Sequence, residues 1–340
     1  MDGSGLRQSR LMLRLSQTDL AEALNAKLGR SYDKPRVSRW ENKHEPVPDD
    51  VAAVVEGLSA SQPGVARVVV FANQKGGVGK TTSALNVACG LARLERRVLL
   101  VDMDPQATAT VAVLAEDAVA AHRDGRTMAQ VILKGRPLQE AILHAAEAPG
   151  GRSPRFDLAA SHIDLAETDG RREPGFDAAL REALDGVRGD YDWVVVDAPP
   201  NLGMLTWMAL AAADECIVPV RTEPYDAMGV GLILGTINKV QRRLNPALRL
   251  GGILPTQYGA RKLVDREVLG HLMSALGGTA PVLDPVPDSA VFGHAARNGR
   301  IALDAYPTSA ATAVYSRLAR ALAHGEPLPA AEPLLPLRES

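Results

Sequence analysis

The sequence predicts an α/β domain built on a parallel sheet, preceded by a small all-α domain. Apolar, mostly β-branched runs at 68–72, 98–101 and 193–196 alternate with amphipathic stretches, which is the pattern of βαβ units. A glycine-rich segment follows the first of these runs and precedes a helical pattern. The first 45 residues contain three short helical patterns instead.

The composition is that of a globular protein with room for one large and one small domain. The 340 residues are 46% hydrophobic and 23% charged, with a formal net charge of -2. This charge creates no global basic field, so any contact with nucleic acid must come from local patches. The two cysteines, Cys89 and Cys216, provide no disulfide framework, and the 7 histidines show no metal-ligand spacing. No signal peptide or membrane span of ~20 apolar residues is evident, so we expect a cytoplasmic protein.

The first predicted domain spans residues 1–47 and contains helical patterns at 6–13, 16–24 and 33–41. Ser16 is a candidate N-cap, because Asp19 stands three residues later in the capping-box position. The third pattern has candidate capping and first-turn residues in Asp33 and Pro35.

Residues 48–65 are expected to form a linker, because prolines and a Ser-Ala-Ser-Gln-Pro-Gly stretch surround one short helical turn at 51–58.

The segments LSQTDLAEAL and RVSRWE resemble the Cro/repressor-type helix-turn-helix. The resemblance implies that the third helix lies in the major groove of DNA and that Gln17 contacts the DNA backbone. Val37 and Trp40 would belong to the small core. The residues expected to face DNA are Arg36, Ser38 and Arg39. The alternative is a helical protein-interaction module on the same scaffold.

A phosphate-binding loop is predicted where the first strand gives way to a helix. Glycines let backbone N–H groups turn toward an anion, and the helix N-terminus adds partial positive charge. Lys80 can reach β- and γ-phosphates, and the Thr81 hydroxyl can ligate Mg²⁺. The alternative, a glycine-rich turn without a ligand, does not predict the acidic residues found downstream. The loop residues are Lys75, Gly76, Gly77, Val78, Gly79, Lys80, Thr81 and Thr82.

Three aspartates follow the ends of two other predicted strands: Asp102, Asp104 and Asp197. The carboxyl ends of parallel strands meet at the crevice where open α/β sheets bind ligands. Carboxylates at this edge can hold Mg²⁺, directly or through water, and can orient an attacking water molecule.

The segment KGGVGKTT resembles the deviant Walker A motif of the ParA/MinD family of ATPases, because Gln74 replaces the usual first glycine and Lys75 is a second lysine. The resemblance implies a P-loop NTPase fold over about residues 66–325 that uses ATP and Mg²⁺. It also implies that Lys75 reaches the nucleotide of a second protomer and that Asp104 serves hydrolysis. Asp197 matches the Walker B aspartate. Asp102 is assigned to the metal site as a group that contacts the metal's ligands and not the ion itself.

Further along, Pro255 and Thr256 fall in a segment that resembles the family's region near the adenine base. The proline-rich end, residues 326–340, is expected to be disordered. That end has no amphipathic membrane-targeting helix of the MinD kind, and two isolated cysteines cannot hold the cluster of nitrogenase-type iron proteins.

The family resemblance implies a DNA-partition ATPase that dimerises on ATP and associates with the nucleoid. Nonspecific DNA binding would use a basic surface that includes Arg261 and Arg300, and a ParB-like centromere-binding partner would stimulate hydrolysis. The helix-turn-helix would add sequence-specific repression of the protein's own operon. Two alternatives remain open: a nucleotide-switched transcription regulator, and a positioning ATPase for another cargo.

Overall fold

The computed structural model describes residues 2–13, 15–60, 65–145, 156–171, 173–224 and 229–332. The chain divides into two compact units, residues 1–65 with 245–247, and residues 66–244 with 248–340. Each unit has a hydrophobic core of its own.

The described residues of the N-terminal unit form four helices, and the predicted caps are confirmed. The Ser16 hydroxyl accepts a hydrogen bond from the Asp19 amide, and the Asp19 carboxylate accepts one from the Ser16 amide. Asp33 caps the third helix by accepting from the Arg36 amide. The helices are α1 (Gly3–Met12), α2 (Gln17–Leu28), α3 (Lys34–Glu41) and α4 (Asp49–Ala60).

The fourth helix corrects the predicted linker. Val51 and Val55 are fully buried in the same core as Trp40, so residues 49–60 belong to the folded unit. The spacing of four residues between the two valines places them on one helix face, and burial of that face outweighs the turn-forming signal of the nearby prolines. Residues 61–64 of the expected linker lie outside the described residues.

The larger unit is built on a seven-stranded sheet in the order β3-β4-β2-β5-β1-β6-β7. All neighbouring strands pair in parallel except β3 and β4, which confirms the predicted parallel α/β sheet. The strands are β1 (Arg67–Phe71), β2 (Val98–Asp102), β3 (Ile142–Leu143), β4 (Asp157–Ala159), β5 (Trp193–Asp197), β6 (Glu215–Arg221) and β7 (Arg249–Thr256).

Helices cover both faces of the sheet, so alternate strand residues enter two different cores. Val68 and Val70 belong to one core, whereas Val69 and Phe71 belong to the other. The α-helices of this unit that lie wholly within the described residues are α5 (Lys80–Arg93), α6 (Thr108–Leu114), α7 (Ala118–Arg123), α8 (Met128–Lys134), α9 (Leu138–Ala141), α10 (Ala179–Asp185), α11 (Met204–Ala212), α12 (Val230–Arg243), α13 (Leu263–Leu276), α14 (Val291–Arg297), α15 (Ala302–Ala305) and α16 (Ala310–His324). The 3₁₀ segments whose bounds lie within the described residues are Ala115–Asp117, Ile163–Gly170 and Phe176–Ala178. Within the ranges given above, no helix combines the length and the apolar character needed to cross a membrane.

The first residues of the expected disordered tail are ordered by backbone pairing. The Asp284 amide donates to the Pro329 carbonyl at 2.9 Å, and the Ala331 amide donates to the Val282 carbonyl at 2.8 Å. The prediction of disorder is therefore wrong for 329–331, because 282–284 offers free backbone groups beside β7. Residues 333–340 lie outside the described residues.

Candidate active site

The sheet register brings the predicted site segments to one edge. Asp197 at the end of β5 pairs in register with Asp102 on one side and with Phe71 on the other. The loops that follow β1, β2 and β5 therefore start side by side. The chain passes from β1 to β2 toward the β3 edge, but from the adjacent β5 to β6 toward the β7 edge. Open α/β sheets bind ligands at such a reversal of strand order.

The glycine-rich loop is held from outside through its carbonyl groups. Gly77 and Gly79 have φ values of 73° and 86°, which favour glycine because a side chain is strained there. The Val78 carbonyl accepts from the Thr256 hydroxyl at 2.9 Å, and the Gly77 carbonyl accepts from Gln257 Nε2 at 2.9 Å. These two bonds use carbonyls and no loop amide, so they hold the loop without consuming the donors that would bind an anion.

Lys80 begins α5 and is buried, with 6% of its surface exposed. Its Nζ donates to the Lys75 carbonyl at 2.8 Å, so the side chain crosses the loop from its last residues back to its first. Burial lowers the pKa of Lys80, while the carboxylates of Asp197 and Asp104 act in the opposite direction. The site thus combines one buried cation with two nearby carboxylates.

Asp197 is fully buried, and neither carboxylate oxygen has a hydrogen-bond partner in the part of the chain that the structure describes. Burial raises its pKa well above the usual range and the neighbouring Asp102 carboxyl adds to this effect, whereas the nearby Thr81 hydroxyl and the charge of Lys80 act in the opposite direction. An unpaired buried carboxylate is costly unless a cation or donor satisfies it. A divalent cation held by Asp197 and the Thr81 hydroxyl would offset that cost, so these residues fit Mg²⁺.

Asp102 is buried too, but its oxygens are already engaged. One oxygen accepts from the amide and hydroxyl of Thr110 at 2.8 and 2.7 Å, and the other accepts from the Asp104 amide at 3.1 Å. Burial is the main cause that raises the pKa of Asp102. These bonds favour a role in shaping the segment 103–110 over direct contact with a metal ion.

Asp104 is 8% exposed and lies at the start of a tight turn. Its Oδ1 accepts from the Gln106 amide at 3.0 Å, while its carbonyl accepts from the Ala107 amide and the Ser161 hydroxyl at 2.8 and 2.6 Å. Ala107 has a φ of 54°, a conformation that alanine rarely adopts. The turn and Ser161 together fix the direction of the Asp104 carboxylate.

Several residues that support the site were not predicted. Asn73 donates through Nδ2 to the Pro219 carbonyl at 2.7 Å and accepts from the Lys75 amide at 3.2 Å, which joins the loop entrance to β6. The other three are Thr110, Ser161 and Gln257. Their partners lie 8 to 180 residues away in the chain, so no local motif marks them.

The remaining predicted residues of the larger unit lie in mixed positions. Lys75 is exposed, and Thr82 is half-buried. Pro255 is buried in β7, and its carbonyl accepts from the Val286 amide at 2.8 Å. Its described hydrogen bond is thus to residue 286 and not to the phosphate loop. Arg261 is exposed, and Arg300 pairs with Asp304 at 2.8 Å.

In the N-terminal unit, three of the four residues predicted to contact DNA are engaged with glutamates. Gln17 donates to Glu41 Oε2 at 2.7 Å, and Glu41 is also paired with the buried Arg10. Arg36 and Arg39 both contact Glu45, at 3.2 and 2.8 Å. Ser38 accepts a hydrogen bond from Asn42 Nδ2 at 3.3 Å. As predicted, Val37 and Trp40 are buried.

The larger unit matches known ATPases over most of its length. A family described as AAA domain matches residues 66–250. The chromosome-partitioning ATPase Soj of Thermus thermophilus is 40% identical over 255 residues, which cover 74% of this chain and 94% of Soj. The chromosome partitioning protein ParA of Myxococcus xanthus is 39% identical over 60% of this chain and 70% of that protein.

A solved structure resembles the chain as well. It is cobyrinic acid a,c-diamide synthase from Mycobacterium smegmatis with bound ATP analog and magnesium, with a TM-score of 0.66 and 33% identity over 79% of this chain and 100% of that chain. The parallel sheet, the phosphate loop between β1 and α5 and the match to Soj over nearly its whole length show that this chain belongs to the ParA/Soj family of P-loop ATPases.

Proposed function

We propose that the chain is a Mg²⁺-dependent ATPase of the partition type, in which ATP joins two protomers. The observation that carries the ATPase part is the buried Asp197 carboxylate, which has no hydrogen-bond partner among the described residues and ends the strand beside the phosphate loop. The similarity to proteins named Soj and ParA supports the partition part.

Each residue of the site has a proposed task in hydrolysis. The loop amides and the buried Lys80 ammonium bind the β- and γ-phosphates. Thr81 and Asp197 would hold Mg²⁺, which neutralises charge that develops on the phosphate oxygens. Asp104 orients the attacking water, because its carboxylate is fixed by the turn that follows it. The exposed Lys75 is assigned to the nucleotide of the second protomer.

DNA binding is proposed at two places. The ATP-bound dimer would bind DNA nonspecifically through a basic surface that includes Arg261 and Arg300, and a ParB-like partner would stimulate hydrolysis. The N-terminal unit would recognise an operator through α3. A transcription regulator and a positioning ATPase for other cargo would use the same ATP chemistry. Loss of the replicon that carries the gene, after deletion of the gene, would favour partition over both.

Two substitutions test the ATPase assignment. Lys80→Ala removes the main cation at the phosphates, so ATP binding should be lost in calorimetry. Asp104→Ala leaves the phosphate loop intact, so it should bind ATP with nearly unchanged affinity while hydrolysis falls about 10²-fold or more. Asp117→Ala removes an exposed carboxylate elsewhere and serves as the control. Unchanged ATP affinity in Lys80→Ala would overturn the assignment, and loss of affinity in Asp104→Ala would make Asp104 a binding residue.

ATP-dependent amide synthesis is a second candidate, because the similar solved structure is named a cobyrinic acid a,c-diamide synthase and is covered over its full length. Turnover assays separate the two proposals. A partition ATPase should hydrolyse ATP faster with DNA and a ParB-like protein, whereas an amide synthase should respond only to cobyrinic acid with an ammonia source.

A further inference from the structure

Two histidines and one aspartate meet beside the segment that carries Asp104. His122 lies in the last turn of α7, while His162 and Asp164 lie at the start of the 3₁₀ segment Ile163–Gly170. The imidazole rings of His122 and His162 stack with centroids 3.5 Å apart and an angle of 9° between their planes. One ligand atom from each of the three side chains lies within 4.8 Å of the other two.

The spacing of the closest pair matches that of two ligands on one metal ion. His162 Nδ1 lies 3.2 Å from Asp164 Oδ2. Two ligands on a tetrahedral ion with bonds of about 2.1 Å lie about 3.4 Å apart. The same Nδ1 accepts a long hydrogen bond of 3.3 Å from the Asp164 amide, so its single lone pair faces residue 164. A metal ion bound by this nitrogen and by the Asp164 carboxylate would replace that hydrogen bond.

We propose that His122, His162 and Asp164 form a site for a divalent transition metal such as Zn²⁺. Two imidazole nitrogens and one carboxylate oxygen are ligands that suit Zn²⁺, Co²⁺ or Ni²⁺, whereas Mg²⁺ prefers oxygen alone. In the stacked arrangement the two ring planes are nearly parallel, so their nitrogen lone pairs do not converge on one point. Binding would therefore break the stack: His122 is exposed, and rotation of its side chain would turn a nitrogen toward the other two ligands. Water would complete the coordination. The site is distinct from the proposed Mg²⁺ site at Asp197 and Thr81.

An ion in this site would act on the neighbouring loop. Ser161 directly precedes His162, and it donates through its hydroxyl to the Asp104 carbonyl and through its amide to Thr110 Oγ1. A metal that ties His162 to α7 would therefore hold the segment 104–122 at both ends and restrict any movement of Asp104. We expect bound Zn²⁺ to slow ATP hydrolysis severalfold; this effect rests on the proposed function, whereas metal binding does not.

The test is metal binding by the full-length protein without nucleotide and without an affinity tag. Zn²⁺ titration by calorimetry should show one site with a dissociation constant in the micromolar range, and Co²⁺ should give visible absorption bands of a nitrogen–oxygen site. His122→Ala and His162→Ala should each weaken binding at least about tenfold. His122→Cys should restore it, with a thiolate charge-transfer band for Co²⁺ that shows direct ligation. His271→Ala, which removes another exposed imidazole, should change nothing.

Three outcomes would overturn the proposal. Zn²⁺ binding weaker than about 100 μM would leave only a hydrogen bond between His162 and Asp164. Binding that persists in both alanine variants but disappears in Asp197→Asn would assign the ion to the nucleotide site. An unchanged Co²⁺ spectrum in His122→Cys would remove His122 from the ligand set. None of these outcomes bears on ATP hydrolysis itself, which is assayed separately.

Discussion

At the scale of single residues, the buried Asp197 carboxylate links the stability of the protein to the binding of a cation. Asp197 is completely buried, and neither of its carboxylate oxygens has a hydrogen-bond partner among the described residues. Such burial normally lowers the free energy of unfolding. The strand end holds this side chain in place because β5 is central in the sheet and paired on both sides. A cation that contacts the carboxylate removes this destabilisation, so the same free energy contributes to the binding of the cation.

Replacing Asp197 by Asn should therefore stabilise the empty protein and weaken the loaded one. The substitution removes the desolvation cost of the buried carboxylate and its repulsion with Asp102, and we expect this gain to exceed the lost attraction to Lys80. The free energy of unfolding should then rise by about 1–3 kcal/mol in buffer with a chelator. The stabilisation gained from Mg²⁺ with a nonhydrolysable ATP analogue should largely disappear. Thermal unfolding under both conditions measures this, and a lower melting temperature for the chelated variant than for wild type would contradict it.

Gln257 combines an unusual backbone conformation with a bond to the phosphate loop. Its φ is 54°, and its Nε2 holds the Gly77 carbonyl. Gln257→Gly relieves the backbone but releases the carbonyl, so we expect unchanged or higher stability with an ATP affinity about 2- to 10-fold lower. Glu95→Gly is the matched control, because Glu95 has a φ of 59° and is exposed after α5. Equal ATP affinities in the two variants would show that the Gln257 side chain does not position the loop.

At the scale of elements, α3 presents its arginines already bound to an acid. Arg36 and Arg39 are exposed, and both contact Glu45, which follows the helix. Exposed ion pairs of this kind contribute little to the stability of the fold. Their main effect is that Glu45 neutralises part of the positive charge of the two guanidinium groups. A phosphate or a base edge must therefore compete with Glu45 for the same guanidinium groups.

Glu45→Gln should strengthen DNA binding by the full-length protein if α3 contacts DNA. Two released guanidinium groups should raise affinity at low salt and steepen the log–log salt dependence by up to about 1.8, at about 0.9 for each phosphate contacted. Glu22→Gln makes the same charge change on the exposed surface of α2. Filter binding across a salt series measures both variants. An equal gain in the two would point to net charge alone, and no DNA binding by either would favour the protein-interaction module.

At the scale of the whole molecule, the two units have separate cores. Among the residues that the structure describes, the buried members of the two cores of the larger unit all come from residue 66 onward. The small unit buries its own set of side chains, including Leu6, Leu20, Leu24, Val37 and Trp40. Units with separate cores are expected to fold separately.

Residues 66–340 alone should therefore fold and bind ATP with the affinity of the full-length protein. Circular dichroism should show a cooperative thermal transition, and calorimetry with an ATP analogue should give a dissociation constant within about twofold of the intact chain. The Lys80→Ala variant of the same fragment shows how much of the calorimetric signal does not come from binding at the phosphate loop. A fragment that folds but fails to bind would mean that the N-terminal unit contributes to the nucleotide site.

Local sequence by itself determined the strand–loop–helix of the phosphate site, the parallel sheet and the caps at Ser16 and Asp33. These features are encoded within a few residues by hydrophobic period, glycine and capping chemistry. Tertiary structure alone decided that residues 49–60 are a packed helix and that 329–331 pair with 282–284. It also brought His162 within stacking distance of His122, and it engaged Asp102 while leaving Asp197 unpaired. Each of these depends on burial and on partners far away in the chain. A local pattern does not indicate which distant group will form a hydrogen bond with a given polar atom.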